Sequence, residues 1–120
     1  MTLSPSGIYS ITNTKNGKVY IGQSENVYLR RAQHTHALKH HNHPNEHLQK
    51  DYNKYGASNF VWRFVEQVGL SQLNDREHYW IEKLNTIWPK GYNIDWKPYK
   101  RKKTDVKKKG YKYKGYRKRS

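Results

Sequence analysis

A carboxylate in the middle of an apolar helical stripe is the feature of this sequence most suggestive of chemistry. Glu77 follows Leu73 by four residues and precedes Ile81 by four, so the three side chains share one face of a predicted helix. A carboxylate there is costly unless it is paired, protonated or bound to a metal. A solvated helix face therefore does not explain Glu77. Two interpretations stay open: a buried structural ion pair, or a functional carboxylate.

Two basic side chains share a second helical stripe with apolar residues. Arg30 and His34 are four residues apart and point the same way, and Val27 and Leu38 continue the spacing. The spacing is equally compatible with two interpretations. In one, the pair belongs to a site; in the other, Arg30 lies at the edge of the stripe and His34 is a solvated or core-edge histidine.

Two tyrosines are expected to lie side by side on a small sheet. Residues 7–13 and 18–22 are short apolar and aromatic runs with an Asn-Gly pair between them. Asn-Gly is the strongest short-range hairpin signal, because a type I′ turn needs positive φ at both central residues. The antiparallel pairing brings Tyr9 and Tyr20 onto neighbouring strands. Tyrosine is common in strands, so the hairpin alone indicates structure rather than chemistry.

Helical and extended segments follow the hairpin. A stretch of alternating aromatic and β-branched side chains predicts a third strand that completes the sheet. Pro44 suits the first turn of the second helix, Gly56 its C-terminal end and Ser71 the N-cap of the third helix. The predicted elements are helices at residues 26–41, 46–55 and 71–85 and a strand at residues 59–68.

Positive charge is concentrated at the end of the chain. The 120 residues include 24 Lys and Arg against 9 Asp and Glu, a net charge of +15. Residues 97–120 contribute +12, from 13 basic residues and one acidic residue, which leaves +3 for residues 1–96. The sequence therefore predicts a folded domain at 1–96 and a Lys/Tyr/Gly-rich basic tail at 97–120. Such charge favours nucleic acid as a partner over a membrane, because the tail lacks an apolar helix face.

The tail has the composition of a segment that is disordered when free, because it lacks apolar periodicity. Its cations suit a phosphate backbone, and its interleaved tyrosines suit stacking on exposed bases. A merely solubilising tail is the alternative. The residues expected to contact nucleic acid are Lys100, Arg101, Lys102, Lys103, Lys107, Lys108, Lys109, Lys112, Lys114, Arg117, Lys118 and Arg119.

What the sequence lacks excludes several classes of protein. There is no cysteine, so neither a disulfide framework nor a Cys-based zinc site is expected. No apolar run has the length of a membrane helix, and a soluble cytoplasmic protein is expected. The histidine pairs His36/His40 and His43/His47 are interpreted as polar surface, because zinc sites usually need three or four converging ligands.

Taken in order, these residues resemble the GIY-YIG nuclease family, in the style of phage and intron-encoded homing endonucleases. The resemblance covers about residues 7–93. The six letters of the two name-giving motifs would be weak alone, but the helix arginine, the histidine and the helix carboxylate follow in family order. The matching positions are Gly7-Ile8-Tyr9, Tyr20-Ile21-Gly22, Arg30, His34, Glu77 and Gly91-Tyr92-Asn93.

The resemblance implies an α/β (α+β) fold in which helices flank a three-stranded antiparallel sheet. It implies hydrolysis of phosphodiester bonds in double-stranded DNA with one divalent ion, Mg²⁺ or Mn²⁺. Glu77 would be the metal ligand, since a hard cation takes oxygen ligands, and Arg30 would neutralise charge growing on the phosphoryl oxygens. Tyr9 would hold or deprotonate the attacking water, assisted by Tyr20, although a phenol needs a lowered pKa to act as a base near neutral pH.

Supporting roles follow from the same resemblance. His34 would take a proton or bind phosphate, and His43 is a candidate phosphate contact. Gly22 and Asn93 would be structural support. In many homing endonucleases a long linker and a separate sequence-reading domain follow the nuclease, whereas here only the tail follows, which puts high sequence specificity in doubt.

Two other functions remain as alternatives to the endonuclease. One is a non-catalytic nucleic-acid-binding protein that retains the nuclease scaffold. The other is an RNA- or ribosome-associated protein that acts through the basic tail. The presence of both tyrosines, Arg30, His34 and Glu77 favours the enzyme over either alternative.

Overall fold

The computed structural model describes residues 5–94. The basic tail predicted at 97–120, with all of its lysines and arginines, lies outside the described residues. Within residues 5–94 no helix is both long and apolar enough to cross a membrane. The main elements are β1 (Gly7–Asn13), β2 (Val19–Ser24), α1 (Val27–Lys39), α2 (Glu46–Tyr55), β3 (Phe60–Gln67) and α3 (Leu73–Leu84).

β1 is the central strand of the sheet. The strand order is β2-β1-β3, and both pairings are antiparallel. Tyr9 lies opposite Gly22 of β2 and Phe64 of β3. A register shift between Ile8 and Tyr9 interrupts the pairing with β3. The three-stranded antiparallel sheet that the resemblance implied is therefore confirmed.

Each face of the sheet buries its own core, because side chains alternate between the faces along β1. Helix α3 covers one face, and α1 and α2 cover the other. Leu84 is 44% exposed although it follows Ile81 by three residues, because it is the last residue of α3 and the chain turns at left-handed Asn85. The buried residues are Ile8, Ile21, Val68, Leu73 and Ile81 in the first core and Ile11, Leu38, Leu48 and Tyr92 in the second.

The hairpin loop is longer than the type I′ turn that the Asn-Gly pair predicted. The backbone N–H of Asn13 donates to the carbonyl of Lys18 at 2.9 Å, so four residues lie between the paired ends. Gly17 has φ of 78°, but Asn16 does not have positive φ. The prediction of a type I′ turn is therefore wrong, because that turn needs positive φ at both central residues.

Asparagine side chains cap the N-termini of the first two helices. Asn26 accepts a hydrogen bond from the backbone N–H of Leu29 at 3.0 Å, and Asn45 accepts one from Leu48 at 2.9 Å. Each bond satisfies an N–H that has no partner within its own helix. Pro44 therefore precedes the N-cap of α2. The prediction that it lies in the first turn of the helix is wrong.

Ser71 does not cap the third helix. It lies inside a short 3₁₀ turn, Leu70–Gln72, that leads directly into α3. The cap position belongs to Gln72, whose side chain makes no capping hydrogen bond. The sequence signal was misleading because the chain already turns before the helix begins, so the first helical N–H groups do not face the serine hydroxyl.

The side chain of Asn93 hydrogen-bonds the segment after α3 to the backbone of β2. The side chain of Asn93 accepts from the backbone N–H of Ile21 and donates to its carbonyl, both at 2.9 Å. The hydroxyl of Thr86 donates to the same Asn93 oxygen at 2.7 Å. Asn93 thus acts as an extra strand residue alongside the second name-giving motif.

Replacing Asn93 with alanine is expected to destabilise the fold. The substitution leaves both backbone groups of buried Ile21 without their partner, and each such loss costs about 1–3 kcal/mol. The free energy of unfolding should fall by about 3 kcal/mol, measured by urea denaturation. Asn42→Ala, at an exposed position, is the matched control and should change stability by less than about 0.5 kcal/mol. Equal stability of the two variants would contradict the anchoring role.

Candidate active site

Three hydrogen-bonded rings run from β1 through α1 into the loop that follows it. The phenol oxygen of Tyr9 is 2.6 Å from Nε2 of His34, and Nδ1 of His34 is 2.6 Å from Nε2 of His43. Tyr9 and His34 are 1% exposed and His43 is 8% exposed. The backbone N–H of Asn45 donates to Nδ1 of His43 at 3.0 Å. Every ring nitrogen of the two histidines is therefore engaged inside the protein.

This arrangement differs from the roles that the resemblance assigned to the two histidines. Phosphate contact was expected of His43 and was one option for His34. Both rings lie beneath the surface, because α1 turns His34 inward on the stripe with Val27 and Leu38. The ring of His43 stacks on that of His34 with centroids 4.8 Å apart. Neither ring offers a nitrogen to a phosphate in this structure.

Aromatic side chains hold the Tyr9 ring on both sides. The Trp62 ring of β3 stacks on it with centroids 4.6 Å apart, and the Tyr20 ring lies 6.5 Å away on the β2 side. Tyr20 also meets His34 edge-on at 5.6 Å. The sequence thus placed the two tyrosines correctly as neighbours. Trp62 was not predicted for the site, although strand alternation and antiparallel pairing signal that it shares the face of Tyr9.

The phenol of Tyr9 lies against the backbone of Gly22. A Cβ atom built on Gly22 would overlap the oxygen and the adjoining carbon of the phenol. Glycine is therefore required at this position by close packing, and φ is not the reason. The second name-giving motif contributes both a ring, from Tyr20, and the space that the Tyr9 ring occupies.

Arg30 and Glu77 act on the same phenol from different elements. The guanidinium of Arg30 lies close enough to the phenol of Tyr9 to lower its pKa, and the same side chain donates to Gln33 at 3.2 Å. Burial raises the pKa of Tyr9 well above its usual value, and the charges of Tyr20 and Glu77 raise it further, whereas Arg30 lowers it. Burial is the largest of these effects, so the phenol is neutral near pH 7. The lowering by Arg30 that a catalytic phenolate would need is present but is outweighed.

Glu77 projects from α3 and is half-buried. Its Oε1 accepts a hydrogen bond from Nε2 of Gln23 at 2.9 Å, and the same amide nitrogen donates to Asn74 at 2.7 Å. Gln23 thereby fixes the rotation of the carboxylate. Sequence reasoning missed Gln23; its position directly after the second name-giving motif, on the strand face that α3 covers, was the available signal.

The donor set around Glu77 suits a hard divalent cation. Among residues 5–94, no group of three or more histidine, aspartate or glutamate side chains is arranged to hold a metal ion. A protein site with one carboxylate is characteristic of Mg²⁺, which keeps several waters and takes further oxygens from substrate phosphate. An oriented, half-buried carboxylate meets that description, so Glu77 is the residue that fits such an ion.

The buried histidines should make the fold sensitive to acid. Burial lowers the pKa of His34 well below 6.5 and that of His43 to about 4, and the charge of Arg30 is the second-largest cause of both shifts. The unfolded chain therefore binds protons first, so stability is complete above pH 6.5 and is lost as the pH falls towards 4. Between pH 7 and 5 we expect a loss of about 2 kcal/mol from His43 and a further loss from His34, measured by urea unfolding.

His43→Gln is the matched variant for this pH dependence, because it removes one of the two titrating rings. Its stability should fall less steeply between pH 7 and 5 than that of the unchanged chain. His78, whose pKa is lowered to about 4 chiefly by burial, adds to the slope of both proteins equally. Identical slopes would show that His43 does not contribute.

Comparisons with known proteins agree with this geometry. The GIY-YIG catalytic domain family matches residues 5–93. Intron-associated endonuclease 1 of Enterobacteria phage T4 is 36% identical over 91 residues, which cover 74% of this chain and 36% of that protein. Probable intron-encoded endonuclease 1 of Neurospora crassa is 34% identical over 86 residues, which cover 66% of this chain and 27% of that protein. The chain thus spans well under half the length of either relative.

A solved structure shows the same fold. The catalytic domain of homing endonuclease I-TevI superimposes with a TM-score of 0.68 at 35% sequence identity, covering 74% of this chain and 97% of that domain. The family match extends from the first name-giving motif to Asn93 and so includes Tyr9, Arg30 and Glu77. The resemblance stated from the sequence is confirmed, and the chain belongs to the GIY-YIG catalytic domain family.

Proposed function

We propose that this chain is a divalent-metal-dependent DNA endonuclease that hydrolyses phosphodiester bonds. The observation that carries the proposal is that Arg30 and Glu77, from helices on opposite faces of the sheet, both act on the buried phenol of Tyr9. A cation, a carboxylate and a hydroxyl around one point are the groups that phosphodiester hydrolysis requires. The relatives are named as endonucleases, which supports the same reaction.

Glu77 would hold the metal ion, with Mg²⁺ as our first choice and Mn²⁺ as a substitute. When bound, such an ion supplies charge that polarises the phosphate and stabilises the leaving 3′ oxygen. Gln23 contributes by holding Oε1 of Glu77 at 2.9 Å, which sets the direction of the carboxylate before the ion arrives. The protein thus supplies one oriented oxygen ligand, and phosphate and water complete the shell.

Arg30 would bind the phosphoryl oxygens. Its planar guanidinium can engage two oxygens at once, which a lysine ammonium does not match. Its side chain donates to Gln33 at 3.2 Å, and its charge acts on the phenol of Tyr9. Binding of Arg30 to the phosphate would leave the phenol oxygen able to bind the attacking water.

Tyr9 would orient that water. Burial keeps the phenol neutral at neutral pH, so it is not a preformed base. Tyr20, 6.5 Å away between ring centroids, would assist by hydrogen bonding on the same side. His34 would hold Tyr9 in position from the protein interior, since its ring is buried and hydrogen-bonded to the phenol oxygen.

Double-stranded DNA is the substrate we propose, with the domain at 1–96 performing the reaction and the tail at 97–120 contacting the backbone. The support for the tail is its net charge of +12, which favours any polyanion. RNA is thus a second polyanion that the tail could bind. Phosphate contacts position a protein without reading sequence, so we expect the tail to add affinity and little specificity.

The test of this proposal is conversion of supercoiled plasmid to nicked or linear form. We expect cleavage with Mg²⁺ or Mn²⁺ and none in EDTA, and the nicks should be sealed by DNA ligase because a 3′ hydroxyl and a 5′ phosphate are left. Binding of DNA without cleavage under any of these metal conditions would favour the non-catalytic binding protein.

A further inference from the structure

We propose that His43 is a positioning residue: with the backbone of Asn45, it fixes the proton of His34 on Nε2, so that His34 donates to Tyr9. The role in the reaction rests on the proposed function. The proton position does not, because it is a property of the DNA-free protein. His43 therefore acts on the phenol through His34 and touches neither substrate nor metal.

The donor and acceptor of each hydrogen bond in this series follow from the bond at Asn45. The N–H of Asn45 can only donate, and it points at Nδ1 of His43 at 3.0 Å, so that nitrogen carries a lone pair. A neutral imidazole has a single N–H, which must then be on Nε2. This N–H donates to Nδ1 of His34 at 2.6 Å, which places the proton of His34 on its own Nε2. That N–H in turn donates to the phenol oxygen of Tyr9 at 2.6 Å.

The opposite direction is blocked. If Tyr9 donated to His34, the proton of His34 would lie on Nδ1 and that of His43 on Nδ1 as well. Two N–H groups, from His43 and Asn45, would then face each other at 3.0 Å. A cationic histidine pair is also disfavoured, because both rings are buried and the charge of Arg30 acts on each of them.

The consequence concerns how Tyr9 can act. Its oxygen accepts from Nε2 of His34, and the positive charge of Arg30 acts on the same phenol. His34 cannot take the phenol proton, because its Nε2 already carries one. His34 instead donates to the phenol oxygen and holds the ring in place when Arg30 binds a phosphate. Losing the bond from His43 would release His34 to the other tautomer, which accepts from the phenol.

The experiment is ¹⁵N–¹H NMR of the full-length, DNA-free protein labelled at histidine, at pH 7.5. The correlations between the carbon-bound protons of each imidazole ring and its two nitrogens show which nitrogen carries the proton. We expect His34 and His43 both to be neutral and protonated on Nε2. A proton on Nδ1 of either ring, or a cationic ring, overturns the proposal whether or not the protein cleaves DNA.

Two substitutions at His43 separate positioning from packing. The amide nitrogen of Gln occupies nearly the place of Nε2, so His43→Gln should keep His34 protonated on Nε2, whereas His43→Leu should leave a mixture. We expect kcat to fall about tenfold in His43→Leu with KM nearly unchanged, and to recover in His43→Gln. His36→Leu, an exposed position on α1, is the control and should behave as the unchanged chain.

The outcomes distinguish this inference from the proposed function. An unchanged His34 tautomer in folded His43→Leu overturns the positioning role, as does a loss of activity that His43→Gln does not restore. If the unchanged chain cleaves no DNA, the proposed function fails, and the NMR result still decides the proton chain. If His43→Leu does not fold, the measurement on the unchanged chain and on His43→Gln decides it.

Discussion

Glu77→Gln is expected to lower the single-turnover rate of DNA cleavage by about 10³-fold or more, because it removes the only carboxylate that we assign to the metal. Glutamine keeps the size of the side chain, so packing against β2 should persist. Affinity for DNA should change little, because the carboxylate does not attract phosphate. Nicking of supercoiled plasmid at saturating enzyme measures the rate, and fluorescence anisotropy measures binding.

The matched control for this variant is Glu82→Gln, an exposed glutamate on the same helix. It makes the same change of charge on α3 and should retain full activity. A second readout follows Mn²⁺ by paramagnetic resonance in the presence of uncleavable DNA, where Glu77→Gln should bind the ion at least about tenfold more weakly. Activity within threefold of the unchanged chain would remove Glu77 from the site.

Arg30→Ala is expected to lower the cleavage rate by about 10²- to 10³-fold, because it removes the guanidinium that we assign to the phosphoryl oxygens. Arg30→Lys should restore only part of the rate, since an ammonium lacks the planar fork. Arg63→Ala, at an exposed position of β3, removes the same charge away from the site and is the control. Equal activity of the alanine variants would contradict the assignment.

A property that does not involve DNA tests the placement of Arg30 independently. The charge of Arg30 helps to lower the pKa of His34 and of His43. Its removal should therefore raise both pKa values towards 6.5 and lessen the loss of stability between pH 7 and 5. An acid dependence identical to that of the unchanged chain would place Arg30 farther from the histidines than the structure does.

Periodicity was sufficient to predict the elements and the partners of the tyrosines. Strand alternation gives the pairing of β1 with β2, and helical spacing brings Arg30 and His34 to the inward side of α1. These inferences succeeded because each depends on one element and its repeat. Asn16-Gly17 does lie in the turn between β1 and β2, but the type I′ geometry was wrong, because loop length depends on how the strands are joined, which the dipeptide does not specify.

The finer chemistry of the site depends on contacts between distant segments, which no repeat encodes. Burial of Tyr9 under Trp62 and α1 raises the pKa of the phenol, whereas a role as a base would need a lowered pKa. The bond from Asn45 to His43 depends on the shape of the loop before α2. A surface interpretation of the histidines therefore fitted His36 but not His43, which is buried.

The most direct test of the central claim compares the unchanged chain with Glu77→Gln on supercoiled plasmid, with Mg²⁺ and with EDTA, followed by treatment with DNA ligase. We predict nicks that ligase reseals, formed by the unchanged chain with Mg²⁺ and absent both in EDTA and with Glu77→Gln. Cleavage that persists in EDTA or in Glu77→Gln, or a folded, DNA-binding chain that never nicks, would contradict a metal-dependent site built on Tyr9, Arg30 and Glu77.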